Sequence, residues 1–304
     1  MRHGKYPFVI SFLAVPVLLY ALYVVYPYTQ AFYMGMTDWR GVSATPNFTG
    51  LDNFNRLLDD STFWKAVQHN LFLLVALPLV TIAISLFLSF MINVAGRSRG
   101  GIRTGIWGSK FYRVVFFFPQ VLAVAIIAVL FQQILRPDTS GAVNGPLHAL
   151  GRHEPIGFLT DPSWAMWTIL GVLVWQAVGF YVVLFSAGMS SIPQDIYEAA
   201  DLDGAGRFAM FFRVTLPLLF DTIQVAWVYL GIAAFDAFAL VNVLSVEQGG
   251  PDGATTVLAM EIYRNAFIFS KFGYASAMGV ALFFLTLTFA VLTLRITRRE
   301  NIEY

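Results

Sequence analysis

The chain reads as long apolar runs divided by short polar loops, with charged residues marking the boundaries. Between Lys5 and Asp38 lie 32 uncharged residues, and between Lys65 and Arg97 lie 31. Gaps of 22, 33 and 23 residues separate Arg113 from Arg136, Asp161 from Asp195, and Lys271 from Arg295. A helix rises about 1.5 Å per residue, so about 20 apolar residues cross a hydrocarbon core of roughly 30 Å. Five gaps meet that length. A sixth apolar stretch, Leu216 to Val246, contains Asp221 and Asp236. The pattern predicts six transmembrane helices, over about 7–29, 66–93, 113–135, 165–190, 217–243 and 273–295, in one membrane domain spanning 1–304.

The first run follows Arg2 and Lys5 as a signal peptide would, but it is too long and no small-x-small cleavage site follows it. It reads as a retained helix kinked at Pro16. Counting Lys and Arg by loop sets the orientation. With the N-terminus inside, the cytoplasmic loops hold 12 basic residues and the outer loops 7. The 97–113 loop decides this, with Arg97, Arg99, Arg103, Lys110 and Arg113 and no acid. Both termini are expected inside.

Composition agrees with a multi-pass membrane protein. Apolar residues make up 58% of the chain and charged residues 12%, against about a quarter charged in soluble domains. A soluble monomer of this kind would expose large apolar patches. The net charge of +1 gives no field for nucleic acid, and zero Cys excludes disulfides, thiolate metal sites and cysteine nucleophiles. Gly105-Ile-Trp-Gly108-Ser109-Lys110 has the wrong order for a phosphate-binding loop, and His3, His69, His148 and His153 form no HExxH pair. No GxSxG elbow or catalytic carboxylate pair stands out. The sequence points to transport rather than covalent chemistry.

The loop between the fourth and fifth predicted helices, 191–217, carries the densest pattern. Pro193 suits a first helical position, with Asp195 and Glu198 in the first turns where the helix dipole favours acid. Gly204 is expected to stop this helix, a second to run from about Gly206 to Thr215, and Pro217 to open the fifth membrane helix. Phe208, Phe211, Phe212 and Leu216 form an apolar stripe. An interfacial helix on the inner leaflet and a docking surface for a cytoplasmic partner both fit.

Glu198-Ala199-Ala200, Gly204 and Val214-x-Leu216-Pro217 resemble, spacing included, the EAA loop of binding-protein-dependent ATP-binding-cassette importer permeases. The resemblance implies a coupling loop, with Asp203, Arg207 and Phe208 in it, seated in a cleft of a separate ATPase and transmitting its closure to the membrane helices. Phe235-Asp236, Gly249-Gly250-Pro251, Thr255-Thr256, Tyr263, Ala266-Phe267 and Gly273-Tyr274-Ala275-Ser276-Ala277 resemble sugar permeases of the maltose and glycerol-phosphate type. His3-Gly-Lys-Tyr, Phe117-Phe-Pro-Gln-Val121, Leu184-Phe-Ser-Ala-Gly-Met189 and the ending Arg298–Tyr304 are similar to actinobacterial N-acetylglucosamine/chitobiose permease subunits.

The resemblance further implies an all-α importer permease fold of type I in the cytoplasmic membrane, paired with a second permease subunit, usually as a heterodimer. Two ATPase subunits would hold the ATP and magnesium, leaving no cofactor on this chain. An extracellular or periplasmic solute-binding protein would deliver the sugar. Gly249-Gly250-Pro251 and the 38–65 loop are candidates to receive that protein; an ordinary turn is the other reading of the Gly-Gly-Pro.

On the fourth helix Leu173, Gln176, Ala177, Phe180 and Leu184 share one face, and the resemblance places sugar contacts at the first four. Gln176 is the one strong hydrogen-bonding side chain there, and an amide facing lipid is costly. It contacts sugar or makes an interhelical hydrogen bond. The matching face of the fifth helix is Leu230, Ala233, Ala234 and Ala237, small and apolar. Asp236 beside it contacts sugar, pairs with a partner subunit or reaches the outer interface, since a carboxylate at mid-membrane costs about 2.5–3.5 kcal/mol. Trp175, Trp227 and Tyr229 stack on sugar rings or serve as belt and packing residues.

Two other functions compete. A stand-alone secondary transporter would show inverted repeats and membrane carboxylates; no repeat is visible, and Asp236 is the one candidate coupling acid. A permease for a polyol or glycerol phosphate keeps the family, but phosphate asks for a basic cavity and no Lys or Arg lies inside the predicted spans.

Overall fold

The chain, a computed structural model, is described over residues 5–42, 45–94, 98–99, 102–103 and 106–296. Arg2, Arg97, Arg298 and Arg299, which enter the orientation count, lie outside the described residues, as do His3-Gly4 and the 298–304 ending. Along the chain the helices are α1 (Lys5–Tyr20), α2 (Tyr26–Gly35), α3 (Asp52–Asp59), α4 (Ser61–Asn93), α5 (Ser109–Val121), α6 (Val124–Ile134), α7 (Asn144–Ala149) and α8 (Pro162–Ser191). After these come α9 (Gln194–Leu202), α10 (Arg207–Ala209), α11 (Leu216–Leu218), α12 (Phe220–Phe235), α13 (Phe238–Leu244), α14 (Leu258–Tyr263) and α15 (Phe272–Ile296). The two-residue strands β1 (Ser98–Arg99) and β2 (Ile102–Arg103) form a small antiparallel hairpin.

Four helical runs are long and apolar enough to cross a membrane, and two bent pairs raise the number to six if each pair is one span. α4 and α8, of 33 and 30 residues, cover the expected 66–93 and 165–190. The helix expected over 113–135 is instead two, α5 and α6, meeting at 97°. Pro119 removes a backbone donor near the end of α5, and Leu122 and Ala123 then turn to extended backbone (ψ 140° and 134°). The expected 217–243 helix is also interrupted. Pro217 lies in α11 rather than opening the span; the bend of 71° falls at Leu219, and α12 stops at Asp236 before α13 begins.

Three helical runs contain a π turn: Ala21–Val25 between α1 and α2, Met210–Thr215 between α10 and α11, and Arg264–Ile268 after α14. Each closes with an i→i−5 bond: Tyr26 N–H to the Ala21 carbonyl, Leu216 to Phe211, Phe269 to Arg264. In the first two, a proline stands two residues beyond the turn, Pro27 and Pro217. A proline has no N–H for the carbonyl four residues back, and a widened turn accommodates that loss. Pro16, where a kink was expected, lies inside α1, and the π turn begins five residues later at Ala21.

The structure divides into two compact units, residues 1–64 with 258–285, and residues 65–257 with 286–304. In the first, glycines bring α2 and the start of α15 together. A Cβ on Gly273 would stand 2.0 Å from the Thr37 carbonyl oxygen, and one on Gly35 3.3 Å from the Ala277 backbone. Asn53, buried on α3, donates to the Gly35 and Thr37 carbonyls at 3.0 and 2.8 Å. The Tyr274 hydroxyl donates to Asp60 at 2.6 Å, and Glu261, 4% exposed, accepts from Arg264 at 2.6 Å.

In the second unit α4 and α8 are joined by a ladder of polar side chains at helical spacing. Ser85 and Ser89 donate to the Val178 and Val182 carbonyls at 3.1 and 2.9 Å, and Asn93 donates to the Ser186 hydroxyl at 2.8 Å. Such small hydroxyl residues let membrane helices pack closely. Arg113 on α5 donates to Asn93, bringing a third helix to the end of the ladder. α5 crosses α8 at Gly179, where a Cβ would stand 1.8 Å from the Phe116 carbonyl oxygen.

Candidate functional site

The 191–219 segment folds as two short helical pieces set by one glycine. Pro193 is extended (ψ 136°) and caps α9, with Asp195 in the first turn. Gly204 takes φ +77°, a left-handed conformation that ends the helix with little strain only for glycine. Gly206 is extended and starts the second piece, which runs through α10, the π turn and α11. Tyr197, buried on α9, reaches Thr215 at 3.4 Å, and Thr215 donates to the Met210 carbonyl at 3.2 Å. That contact fixes the two pieces against each other. A cleft of about 260 Å³ lies beside α9, walled by Asn93, Ser190, Gln194 and Glu198.

Glu198 and Ala200 are half-buried, while Ala199, Asp203, Gly204, Arg207 and Pro217 are exposed and Leu216 is half-buried. Leu202 is 90% exposed and Phe208 82%, well outside the range of a core residue. Leu202 carries no family signature, and its place after a helical acid-rich turn gave no sequence signal. The Phe208 and Phe212 rings stack at 6.3 Å with 10° between planes, and Phe211 meets Phe90 of α4 edge-on at 5.0 Å.

The α8 stripe splits by exposure. Gln176 is half-buried and makes no hydrogen bond to another described residue, and Phe180 is exposed. Trp175 is exposed and packs edge-on with Phe131 of α6 at 5.1 Å. On α12 the small face of Leu230, Ala234 and Ala237 is buried within the unit, where Asn70 donates to the Ala234 carbonyl at 3.0 Å. That face packs against this chain's own α4. Tyr229, Ile232, Ala233 and Asp236 instead make an exposed stripe at i, i+3, i+4, i+7 spacing. Asp236 caps the C-terminus of α12, exposed, with its N–H on the Ile232 carbonyl at 3.2 Å.

The Gly-Gly-Pro loop is tightly built. Glu247, Gln248, Gly249, Gly250, Asp252 and Gly253 all have positive φ. Gly249 and Gly250 are buried, and a Cβ on either would come within 2.7 or 2.5 Å of the Thr256 or Thr255 hydroxyl. Ser245 and Thr255 share a hydrogen bond of 2.7 Å, and Lys65 and His69, one turn apart on α4, hold the Asp252 and Thr256 carbonyls. The loop presents Glu247, Gln248 and Asp252 outward, with Pro251 half-buried. Sequence reasoning named the glycines and missed Lys65 and His69, whose partners lie 187 residues away.

Among the described residues no three His, Cys, Asp or Glu gather as a metal site. The model of the family described as binding-protein-dependent transport system inner membrane component matches residues 92–301. The chain is 41% identical over 300 residues to the diacetylchitobiose uptake system permease protein NgcF of Streptomyces coelicolor, covering 98% of this chain and 84% of that one. It is 30% identical to the multiple sugar-binding transport system permease protein MsmF of Streptococcus mutans, covering 96% of each. The fold is similar to a chain of a bacterial ABC transporter involved in import of the acidic polysaccharide alginate, with TM-score 0.81, 23% identity and 98% of both chains covered. The α9 segment, Gly204 and Pro217 all fall within the matched residues, and the chain belongs to the family of binding-protein-dependent transport system inner membrane components.

Proposed function

We propose that this chain is a permease subunit that imports a sugar across the cytoplasmic membrane, driven by ATP hydrolysed on a separate subunit. The observation that carries this reading is the two-piece 191–219 segment, closed by a left-handed Gly204 and exposing Leu202 and Phe208. An ATPase cleft that grips this segment would move α8 and α12 with it, a route to alternating access. Glu198, Ala199, Ala200, Asp203, Gly204, Arg207, Phe208, Leu216 and Pro217 are its coupling residues.

Counting each bent pair as one, the helices make six spans; the proposed permease holds them in one membrane domain with both termini inside, as the excess of Lys and Arg in the cytoplasmic loops favours. A second permease subunit completes the pathway, and a solute-binding protein docks on the outer loops, including the surface around Pro251. Gln176, Phe180, Trp175, Tyr229 and Asp236 line the route on this chain, and the exposed stripes of α8 and α12 support that placement. The names of two relatives, diacetylchitobiose and multiple-sugar permeases, favour a neutral sugar, with a chitobiose-type disaccharide first.

Uptake of labelled N-acetylglucosamine, chitobiose and maltose, with and without this gene, tests the reading. A protonophore that spares ATP is added in a second arm. Loss of one sugar's uptake on deletion, with protonophore resistance in the parent, is expected. Uptake that needs the gene yet collapses with the proton gradient would replace this reading with a secondary transporter.

A further inference from the structure

Beside the coupling segment an apolar groove of about 310 Å³ is lined by Phe87, Phe90 and Met91 of α4 and by Arg207, Phe208, Phe211 and Phe212. Among the described lining residues Arg207 is the one charged side chain, and the others are phenylalanine and methionine. The parallel Phe208 and Phe212 rings make a flat side, and Phe211 against Phe90 closes the floor. Phe87 is 58% exposed and stands six residues before the end of the long apolar α4, about 9 Å from it.

We infer that this groove holds an acyl chain of an anionic phospholipid, with its phosphate on Arg207. Three of the seven lining residues are on the flank of α4, a helix long and apolar enough to cross a bilayer, within two turns of its end, where acyl chain and headgroup would meet. Apart from Arg207, the described lining residues carry no polar side chain that would orient a sugar or a peptide. The cation of the wall is Arg207, exposed at the start of the second helical piece. Basic residues beside inner-leaflet helix ends attract anionic headgroups. A lipid so placed would brace α10 against α4, the junction through which the coupling segment meets the membrane.

The inference rests on the inward placement of the 191–219 segment. Its test needs no transport, so it fails separately from the proposed function. Native mass spectrometry of the full-length chain in detergent, titrated with phosphatidylglycerol or phosphatidylcholine, reads the bound lipid directly. Retained phosphatidylglycerol with a several-fold preference over phosphatidylcholine is expected. Arg207→Glu should erase that preference, Arg207→Lys should keep it, and Phe87→Ser with Phe212→Ser should lower retention of both lipids. Equal lipid ratios in the parent and Arg207→Glu would overturn the site. So would full displacement of lipid when the ATPase subunit is added, which would make the groove a protein interface.

Discussion

Gly179 of α8 and Phe116 of α5 are in backbone contact: a Cβ on the glycine would stand 1.8 Å from the Phe116 carbonyl oxygen and 2.8 Å from the Phe117 Cα. The two helices cross where no side chain fits, three residues along from Gln176. Gly179→Ala should force them apart and destabilise the chain by about 1–3 kcal/mol or more, the cost of overpacking a close contact. Gly171→Ala on the same helix, with nothing within 4 Å of the added Cβ, should be neutral or stabilise by up to about 1 kcal/mol. Thermal unfolding of both variants in detergent measures the difference, and equal midpoints would mean the crossing is looser than described.

Gly204 sits at φ +77°, while proline holds φ near −65°. Gly204→Pro should misdirect the second helical piece, and Glu198→Arg should reverse the charge beside the α9 cleft. Both variants are expected in the membrane at normal levels, with uptake lost and ATPase activity no longer answering to substrate. Normal uptake in both would remove the coupling role from this segment.

Gln176→Leu removes an amide that makes no hydrogen bond to another described residue. Losing one hydrogen bond to sugar costs about 1 kcal/mol, roughly a fivefold weaker dose-response for sugar-stimulated ATPase. Assembly with the partner subunit should be unchanged, since packing is conserved in volume. An unaltered sugar response combined with weaker assembly would assign Gln176 to helix packing.

Burial raises the Glu261 carboxyl above its ordinary range, the Arg264 charge opposes the rise, and the Asp60 charge adds to it. A raised folded value means the neutral acid is favoured by folding. That contribution is complete below the unfolded carboxylate value and is lost as pH climbs through the raised one. Thermal stability should therefore fall as pH rises through and above the carboxylate range. Glu261→Gln should flatten that slope; an unchanged slope would trace it to another group.

The family and the apolar runs were legible because both are written in local order. Charge gaps mark where bilayer-length helices can lie, and EAA with its glycine and Leu-Pro stand at fixed offsets. The breaks at Leu122–Ala123, Leu219 and Asp236 were not legible, because hydropathy counts side chains and is blind to a turn in the backbone. Pro119 and Pro217 were visible signals, but one precedes its break by three residues and the other bends the chain two residues later. The exposed side of α12 was also hidden: its small residues fit a ligand cavity in sequence and fit against Asn70 in the structure. The Gly-Gly-Pro loop announced its glycines, whereas Lys65 and His69, which hold it, become neighbours only on folding.

The wide turn at Met210–Thr215 sets how the 191–219 segment is aimed. A π turn carries one residue more than α winding needs, and each residue advances an α-helix by about 100°. Leu216-Pro217-Leu218 are therefore rotated by about that angle from where an unbroken helix starting at Arg207 would set them. Removing one residue between 210 and 215 would restore plain winding and swing Phe208 and Arg207 around the axis relative to α11. The number of residues between Gly204 and Pro217 thus acts as an angular setting, independent of which residues fill it.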